Sequence, residues 1–266
     1  MLGRIIAIAK NTFREAIRNK ILYILLAFAM ILIVFSIVLS ALSIGQDEKI
    51  IKDVGLFAIT FFGVLIAIMV GIGLIYNELD KRTIYVIISK PIHRYEFVLG
   101  KFLGLVLTII VNVLIMTGVF FTLLVIMHFP ITPLLIKAIG MTVLELIVVT
   151  ALATLFSSFS TPILSAVYTF LLFIAGHLTD DLVRFAQQIT TEKPWAPVSQ
   201  ADKIMGKIAI IISWVLPQLE KFNIRNQAVN GVAITENLPL NMVYGLLYTA
   251  CVLFIASICF SKRNFK

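Results

Sequence analysis

Few residues of this chain could do chemistry, and most of them lie in or beside long apolar runs. Glu145 falls near the middle of one such run. An unpaired carboxylate in hydrocarbon is costly, so this residue is a candidate functional group. The alternative is a structural carboxyl that is neutral or hydrogen-bonded to a neighbour such as Asn112. We favour the structural role, because the sequence predicts no other ionisable residue at that depth.

Histidine and methionine are the other candidates, as catalysts or as metal ligands. His93, His128 and His177 fall at the edges of apolar runs without an obvious nucleophile nearby. Met127, His128 and His177 are residue types that suit copper, but no Met-x-x-Met, Cys-x-x-Cys or His-x-His spacing occurs. A glycine-rich loop ending in Gly-Lys-Ser/Thr is also missing from the sequence. We therefore predict no catalytic residue, no metal site and no ATP hydrolysis by this chain.

The composition is that of an integral membrane protein. Apolar residues make up 60% of the chain and charged residues 14%, and the mean hydropathy is +1.04. The net charge of +8 could suggest a nucleic-acid partner. However, the basic residues flank apolar runs rather than forming a stripe on a soluble domain, so membrane topology explains them better and no nucleic-acid partner is expected.

Six apolar runs predict a single all-α domain over residues 1–266 with six transmembrane helices. The predicted spans cover residues 21–44, 54–76, 97–127, 134–156, 163–178 and 240–260. With the N-terminus inside, thirteen of the 22 basic residues lie on inner segments and only Lys49, Lys52 and Lys137 in short outer loops. This asymmetry places both termini in the cytoplasm. The rival is a seventh span at 204–222.

Two further segments lie outside the spans. Residues 1–20 alternate an apolar stripe with basic residues, which predicts an amphipathic helix lying on the membrane. Residues 179–239 form a long loop that contains both tryptophans, Trp195 and Trp214, and an apolar run too short to cross. We predict an extracytoplasmic helical cap there, between spans 5 and 6.

The segment 77–104 joins spans 2 and 3 and carries eight charged residues in its first 25 positions. Such dense charge cannot lie in hydrocarbon. A short apolar face at 84–88 is followed by Lys90-Pro91, which breaks the backbone before a new helix begins. A simple connection would need neither feature. The pattern predicts a cytoplasmic docking element over residues 77–101, and the alternative is a solvated basic loop without a partner.

The patterns E-L-D-x-R-T-I-Y, S-K-P-I-x-R and E-F-x-x-G-K-F-x-G in this segment resemble ABC-2 type transporter permeases. The resemblance is closest to the branch of the nitrous-oxide-reductase, or multicopper enzyme, maturation permease. It implies a coupling helix that docks on a separate ATP-binding subunit, which would hold the ATP and Mg²⁺, so that no cofactor is expected on this chain. The positions that carry the resemblance are Glu78, Asp80, Arg82, Thr83, Lys90, Pro91, Arg94, Gly100 and Lys101.

The resemblance also implies a second permease copy, as a homodimer, in the cytoplasmic membrane of a prokaryote. Two outputs stay open: export of a substrate, or transmission of movement to an extracytoplasmic accessory protein, as in copper-enzyme maturation. The alternatives are a membrane scaffold without coupled motion and an exporter of lipid, drug or peptide.

Overall fold

The computed structural model describes residues 2–43, 45–80, 94–190, 200–232 and 237–262, and within these ranges the regular structure is entirely helical. Ten α-helices and one short 3-10 helix, Leu219–Phe222, follow one another in this part of the chain. The α-helices are α1 (Leu2–Ile17), α2 (Lys20–Ala41), α3 (Asp47–Asp80), α4 (Arg94–Ile126), α5 (Pro133–Phe159), α6 (Pro162–His177), α7 (Thr179–Thr190), α8 (Gln200–Val215), α9 (Arg225–Asn230) and α10 (Leu238–Lys262).

Five of these helices are long and apolar enough to cross a membrane: α2, α3, α4, α5 and α10. Helices α6 and α7 bend by 47° at their junction, and they give a sixth span if the pair is counted as one. The observed helices coincide with the six predicted runs to within a few residues at most ends. The protein is thus an all-helical chain with five to six candidate spans.

Helix α3 differs most from the sequence prediction, because it begins at Asp47 instead of near Val54. Asp47 and Glu48 lie in its first turn, where acidic side chains favour a helix start. Lys49 and Lys52, which we predicted in an outer loop, therefore lie in the helix. Lys52 is buried and donates to the carboxylate of Glu48 one turn earlier.

Helices α3 and α5 form the middle of the bundle, whereas α2 and α10 lie on its outside with most of their surface exposed. Close contacts at small residues hold the centre together. A Cβ added at Gly63 of α3 would lie 2.6 Å from Leu146 of α5, and one at Gly55 would overlap the ring of Phe120. Such small residues let helices approach without a strong hydrophobic driving force in lipid.

The turn between α5 and α6 is short. Thr161 occupies the N-cap position and Pro162 the first helical position, but the Thr161 side chain makes no capping hydrogen bond. The hydroxyls of Ser157 and Ser158 instead donate back to the carbonyls of Ala153 and Leu155 within α5. The start of α6 therefore depends on Pro162, whose fixed φ suits the first helical position, and not on a side-chain cap from Thr161.

The segment after α6 folds into short helices. Helix α8 packs along α7, with Gly206 directly against Thr190. The chain leaves helical structure after Val215 and begins the 3-10 helix at Leu219, so a continuous seventh span at 204–222 is excluded. The 3-10 helix and α9 then pack on the end of the bundle formed by α3, α5 and α6. The two tryptophans of this segment cannot be placed: Trp195 lies outside the described residues, and the side chain of Trp214 is not among those described.

Candidate functional site

Two regions of the bundle hold the residues singled out in the sequence. The first is the α1 end, where the start of α4 contacts both α1 and the end of α10. The second is a cavity near the opposite end, where α3, α5 and α6 meet the 3-10 helix and α9.

The predicted docking residues are only partly within the described chain. Arg82, Thr83, Lys90 and Pro91 lie outside it. Glu78 and Asp80 belong to the last turn of α3, but their side chains are not among those described. Arg94, Gly100 and Lys101 lie in the first two turns of α4 and can be placed in detail.

Gly100 lies under α1. A Cβ added there would be 2.7 Å from the Cβ of Ile8 and 3.1 Å from the carbonyl oxygen of Ile5. One turn further on, a Cβ at Gly104 would be 2.6 Å from both the Ala9 carbonyl oxygen and the Thr12 Cβ. The two glycines, four residues apart, form a groove in which the backbone of α1 lies directly against α4.

Two ion pairs flank this groove, and each joins an α1 residue to a buried residue of α4. Arg4 Nη1 lies 3.8 Å from Glu96 Oε2, and Lys101 Nζ lies 3.5 Å from Glu15 Oε2. Glu96 and Lys101 are only 1% and 2% exposed. A buried charge is retained at acceptable free energy only when it is paired, so α1 completes the environment of both residues. We call the two glycines and two ion pairs the α1–α4 clamp.

Arg94 joins the start of α4 to the end of α10. Its Nη1 donates to the Ser261 carbonyl oxygen at 2.6 Å and lies 3.4 Å from that of Phe260. The rings of Phe97 and Phe260 stack beside it with centroids 5.5 Å apart. Because the last carbonyls of a helix lack partners within the helix, this guanidinium stabilises the C-terminus of α10.

The predicted partnership of Glu145 with Asn112 is wrong. Asn112 Nδ2 donates to the Thr108 carbonyl oxygen at 2.8 Å, one turn back in α4. Glu145, which is 2% exposed, instead lies beside His177 at the end of α6, with 3.3 Å between Oε1 and Nε2. An ionisable partner is therefore present at the depth of Glu145. The sequence does not reveal this partner, because α6 is short and its last residue lies beside the middle of α5.

The other nitrogen of His177 defines its tautomer. Nδ1 lies 3.1 Å from the Phe173 carbonyl oxygen, which can only accept, so Nδ1 carries a hydrogen. Nε2 then faces the Glu145 carboxyl. The atoms are at ion-pair distance, but Oε1 accepts no aligned hydrogen bond from the described residues.

Glu145 and His177 line a cavity of about 330 Å³. Its walls come from the facing sides of α3, α5 and α6, and residues 222–225 close it. The aromatic residues on these walls are Phe57, Phe61, Phe173 and Phe222. Arg225 also borders the cavity, but its guanidinium lies 2.9 Å from Asp53 and over the ring of Phe57.

A polar cleft of about 690 Å³ adjoins this cavity and shares Asn223 and Arg225 with it. Glu220 lies in the cleft and accepts hydrogen bonds from Asn223 at 3.1 and 3.2 Å. Partial burial raises the pKa of Glu220, and the hydrogen bonds and His177 only partly offset this. The cleft borders the cavity at the end of the bundle opposite α1.

No group of His, Cys, Asp and Glu side chains in the described ranges could hold a metal ion. His128, considered above as a copper ligand, is exposed and has a φ of 59°, in the turn that ends α4. The amide of the next residue, Phe129, donates to the Leu124 carbonyl oxygen. The backbone of His128 thus forms part of the C-terminal cap of α4.

Comparison with known families decides the class of protein. The model of the ABC-2 family transporter proteins matches residues 6–265. The chain belongs to this family. It is therefore the transmembrane permease of an ABC transporter and not itself the catalytic subunit, and the family generally works with an ABC ATP-binding subunit. No curated protein matches the chain significantly.

The α1–α4 clamp of this ABC-2 permease stands at the start of α4, within the segment 77–104 in which the coupling residues were predicted. The sequence motif assigns Gly100 and Lys101 to docking and gives no indication of the contacts made by Arg4, Glu15 and Thr12. One signal could have found the contact: the Gly-x-x-x-Gly spacing of residues 100 and 104, which is typical of close helix packing.

Proposed function

We propose that this ABC-2 permease couples ATP hydrolysis by a separate ABC ATP-binding subunit to movement of its spans, through the segment 77–104. The chain would work beside a second copy of itself in the cytoplasmic membrane of a prokaryote, with both termini in the cytoplasm. Each copy would dock one ATP-binding subunit on this segment.

The α1–α4 clamp is the observation that supports this coupling route. Two elements converge on the first turns of α4: α1, through the glycine groove and the two ion pairs, and the end of α10, through Arg94. A push delivered to the chain just before Arg94 would therefore move α1, α4 and α10 together. Packed helices shift as units because their interiors are close-packed.

The output of that movement has two candidate forms. One is export of a substrate through the paired permeases, and the other is transmission of movement to an extracytoplasmic accessory protein docked on residues 179–239, as in copper-enzyme maturation. A membrane scaffold is the competing class, and an exporter of lipid, drug or peptide is the competing transporter. The bundle's polar cleft at the end opposite α1 is compatible with either candidate output.

Reconstitution tests the proposal. The permease is co-expressed with an ABC ATP-binding subunit, purified and placed in proteoliposomes, and ATP hydrolysis is compared with that of the ATP-binding subunit alone. We expect co-purification at one ATP-binding subunit per permease and a hydrolysis rate that depends on the permease. A scaffold would neither retain the subunit nor change its rate.

The orientation gives a separate prediction. In a background without Cys251 and Cys259, a cysteine at Glu192 should react with a membrane-impermeant maleimide in intact cells, because the positive-inside bias places 179–239 outside. A cysteine at Lys90 should react only after permeabilisation. The opposite pattern would contradict the proposed orientation.

A further inference from the structure

The cavity at Glu145 has no role in the proposed coupling route. It lies between α3, α5 and α6, toward the end opposite the α1–α4 clamp, and its volume of about 330 Å³ falls in the range of small-molecule sites. It shares Asn223 and Arg225 with the polar cleft at that end of the bundle. A ligand in the cleft would meet the cavity at these two residues.

The walls of the cavity have the chemistry of an organic-cation site. Four phenylalanine rings contribute to them, and the faces of such rings attract a cation whose apolar substituents fill the remaining space. Sites of this type combine aromatic surface with a small number of placed polar groups. In this cavity, the carboxyl of Glu145 is such a polar group.

Glu145 is well suited to receive a cation. It is 2% exposed, and its Oε1 atom is buried without an aligned hydrogen bond from the described residues. His177 Nε2 lies 3.3 Å from that atom. A ligand cation beside this oxygen would leave the contact of His177 Nδ1 with the Phe173 carbonyl oxygen intact.

An anionic ligand fits the cavity less well. Arg225 is the one arginine or lysine among the described residues that line it, and its charge is already paired with Asp53 at 2.9 Å and stacked over Phe57. An anion entering the cavity would lie close to the buried carboxyl of Glu145 and would have to compete with Asp53 for Arg225. Burial of like charges in one site is strongly unfavourable.

We propose that this cavity binds a small organic ammonium ion, a tertiary or quaternary amine with apolar substituents, with its charge between the Glu145 carboxylate and the aromatic rings. The site is a property of the permease alone. Its test therefore needs no ATP-binding subunit, and failure of the coupling proposal would not affect it.

The experiment uses the full chain purified in a maltoside detergent, which carries no ammonium group. Labelled choline is the probe, and equilibrium dialysis measures its binding. The competitor is 3,3-dimethylbutan-1-ol, which replaces the quaternary nitrogen of choline with carbon and keeps its shape. We expect one saturable choline site per chain and competition by the neutral alcohol at least about tenfold weaker than by unlabelled choline.

Glu145→Gln should weaken choline binding by about tenfold or more, because the amide keeps the shape of the side chain but not its charge. The matched control is Asp181→Asn, which removes a carboxylate from an exposed position at the same end of the bundle, outside the cavity lining. It should change binding by less than about threefold.

Three results would overturn the proposal. They are no saturable choline binding to the wild-type chain, equal competition by the neutral alcohol, and unchanged binding in Glu145→Gln. The first two do not depend on any variant, so a folding defect in Glu145→Gln cannot protect the proposal.

Discussion

The Arg82→Glu variant should insert and accumulate like the wild-type permease but lose both the co-purified ATP-binding subunit and its ATPase response. An arginine can form a forked, charge-assisted contact with a carboxylate, worth about 1.5–3 kcal/mol when it is shielded from water. Reversal of the charge also sets like charges against each other across the interface. We expect binding to fall by at least about tenfold, measured by pull-down and by ATP hydrolysis in proteoliposomes.

The control for this variant is Arg18→Glu. Arg18 is exposed in the turn after α1, and its reversal changes the net charge by the same amount without altering the segment 77–104. It should retain the subunit and the ATPase response. If Arg82→Glu behaved like Arg18→Glu, the segment would be an ordinary basic loop of the membrane topology.

Arg94 cannot serve as a second test of the same kind. The sequence placed it with Arg82 as a docking residue, but its guanidinium donates to the last carbonyls of α10. Reversal at Arg94 would remove those hydrogen bonds and place a carboxylate beside carbonyl oxygens. A loss of coupling in Arg94→Glu would therefore mix docking with destabilisation of α10.

The sequence predicted the spans well because hydropathy over about 20 residues is a local property that the membrane imposes directly. The predicted run 134–156 became α5, Pro133–Phe159, and the run 240–260 became α10, Leu238–Lys262. The exception is instructive. The first two turns of α3 are polar, and Lys52 is tolerated there because Glu48 pairs with it inside the helix.

The partners of the polar residues could not be predicted in the same way. Glu145 with His177, and Lys101 with Glu15, are pairs that depend on how separate helices pack. Nothing in the local sequence fixes that packing. The motif around Lys101 suggested a surface residue that contacts another subunit, whereas the structure buries the side chain against α1. Basic residue type alone does not distinguish a docking residue from a buried ion pair.

Gly104→Leu should separate α1 from α4. The added Cβ would lie 2.6 Å from the Ala9 carbonyl oxygen, a backbone atom that cannot move without the whole of α1. Overpacking of a close contact costs about 1–3 kcal/mol, and here the strain would also weaken the two ion pairs of the clamp. We expect a lower unfolding temperature in lipid nanodiscs and a reduced ATPase response of the reconstituted complex.

A reporter cysteine at Thr12 makes the separation visible. Thr12 is fully buried between α1 and α4, so a cysteine there should be unreactive in an otherwise wild-type chain without Cys251 and Cys259, and should react with maleimide when Gly104→Leu is added. Gly118→Leu is the matched control. It changes the same residue type in the same helix, at a position where an added Cβ meets nothing within 4 Å. Equal unfolding temperatures and equal reactivity at position 12 in the two glycine variants would show that α1 is not held in this groove. In that case, a push on the start of α4 would not reach α1 through the clamp.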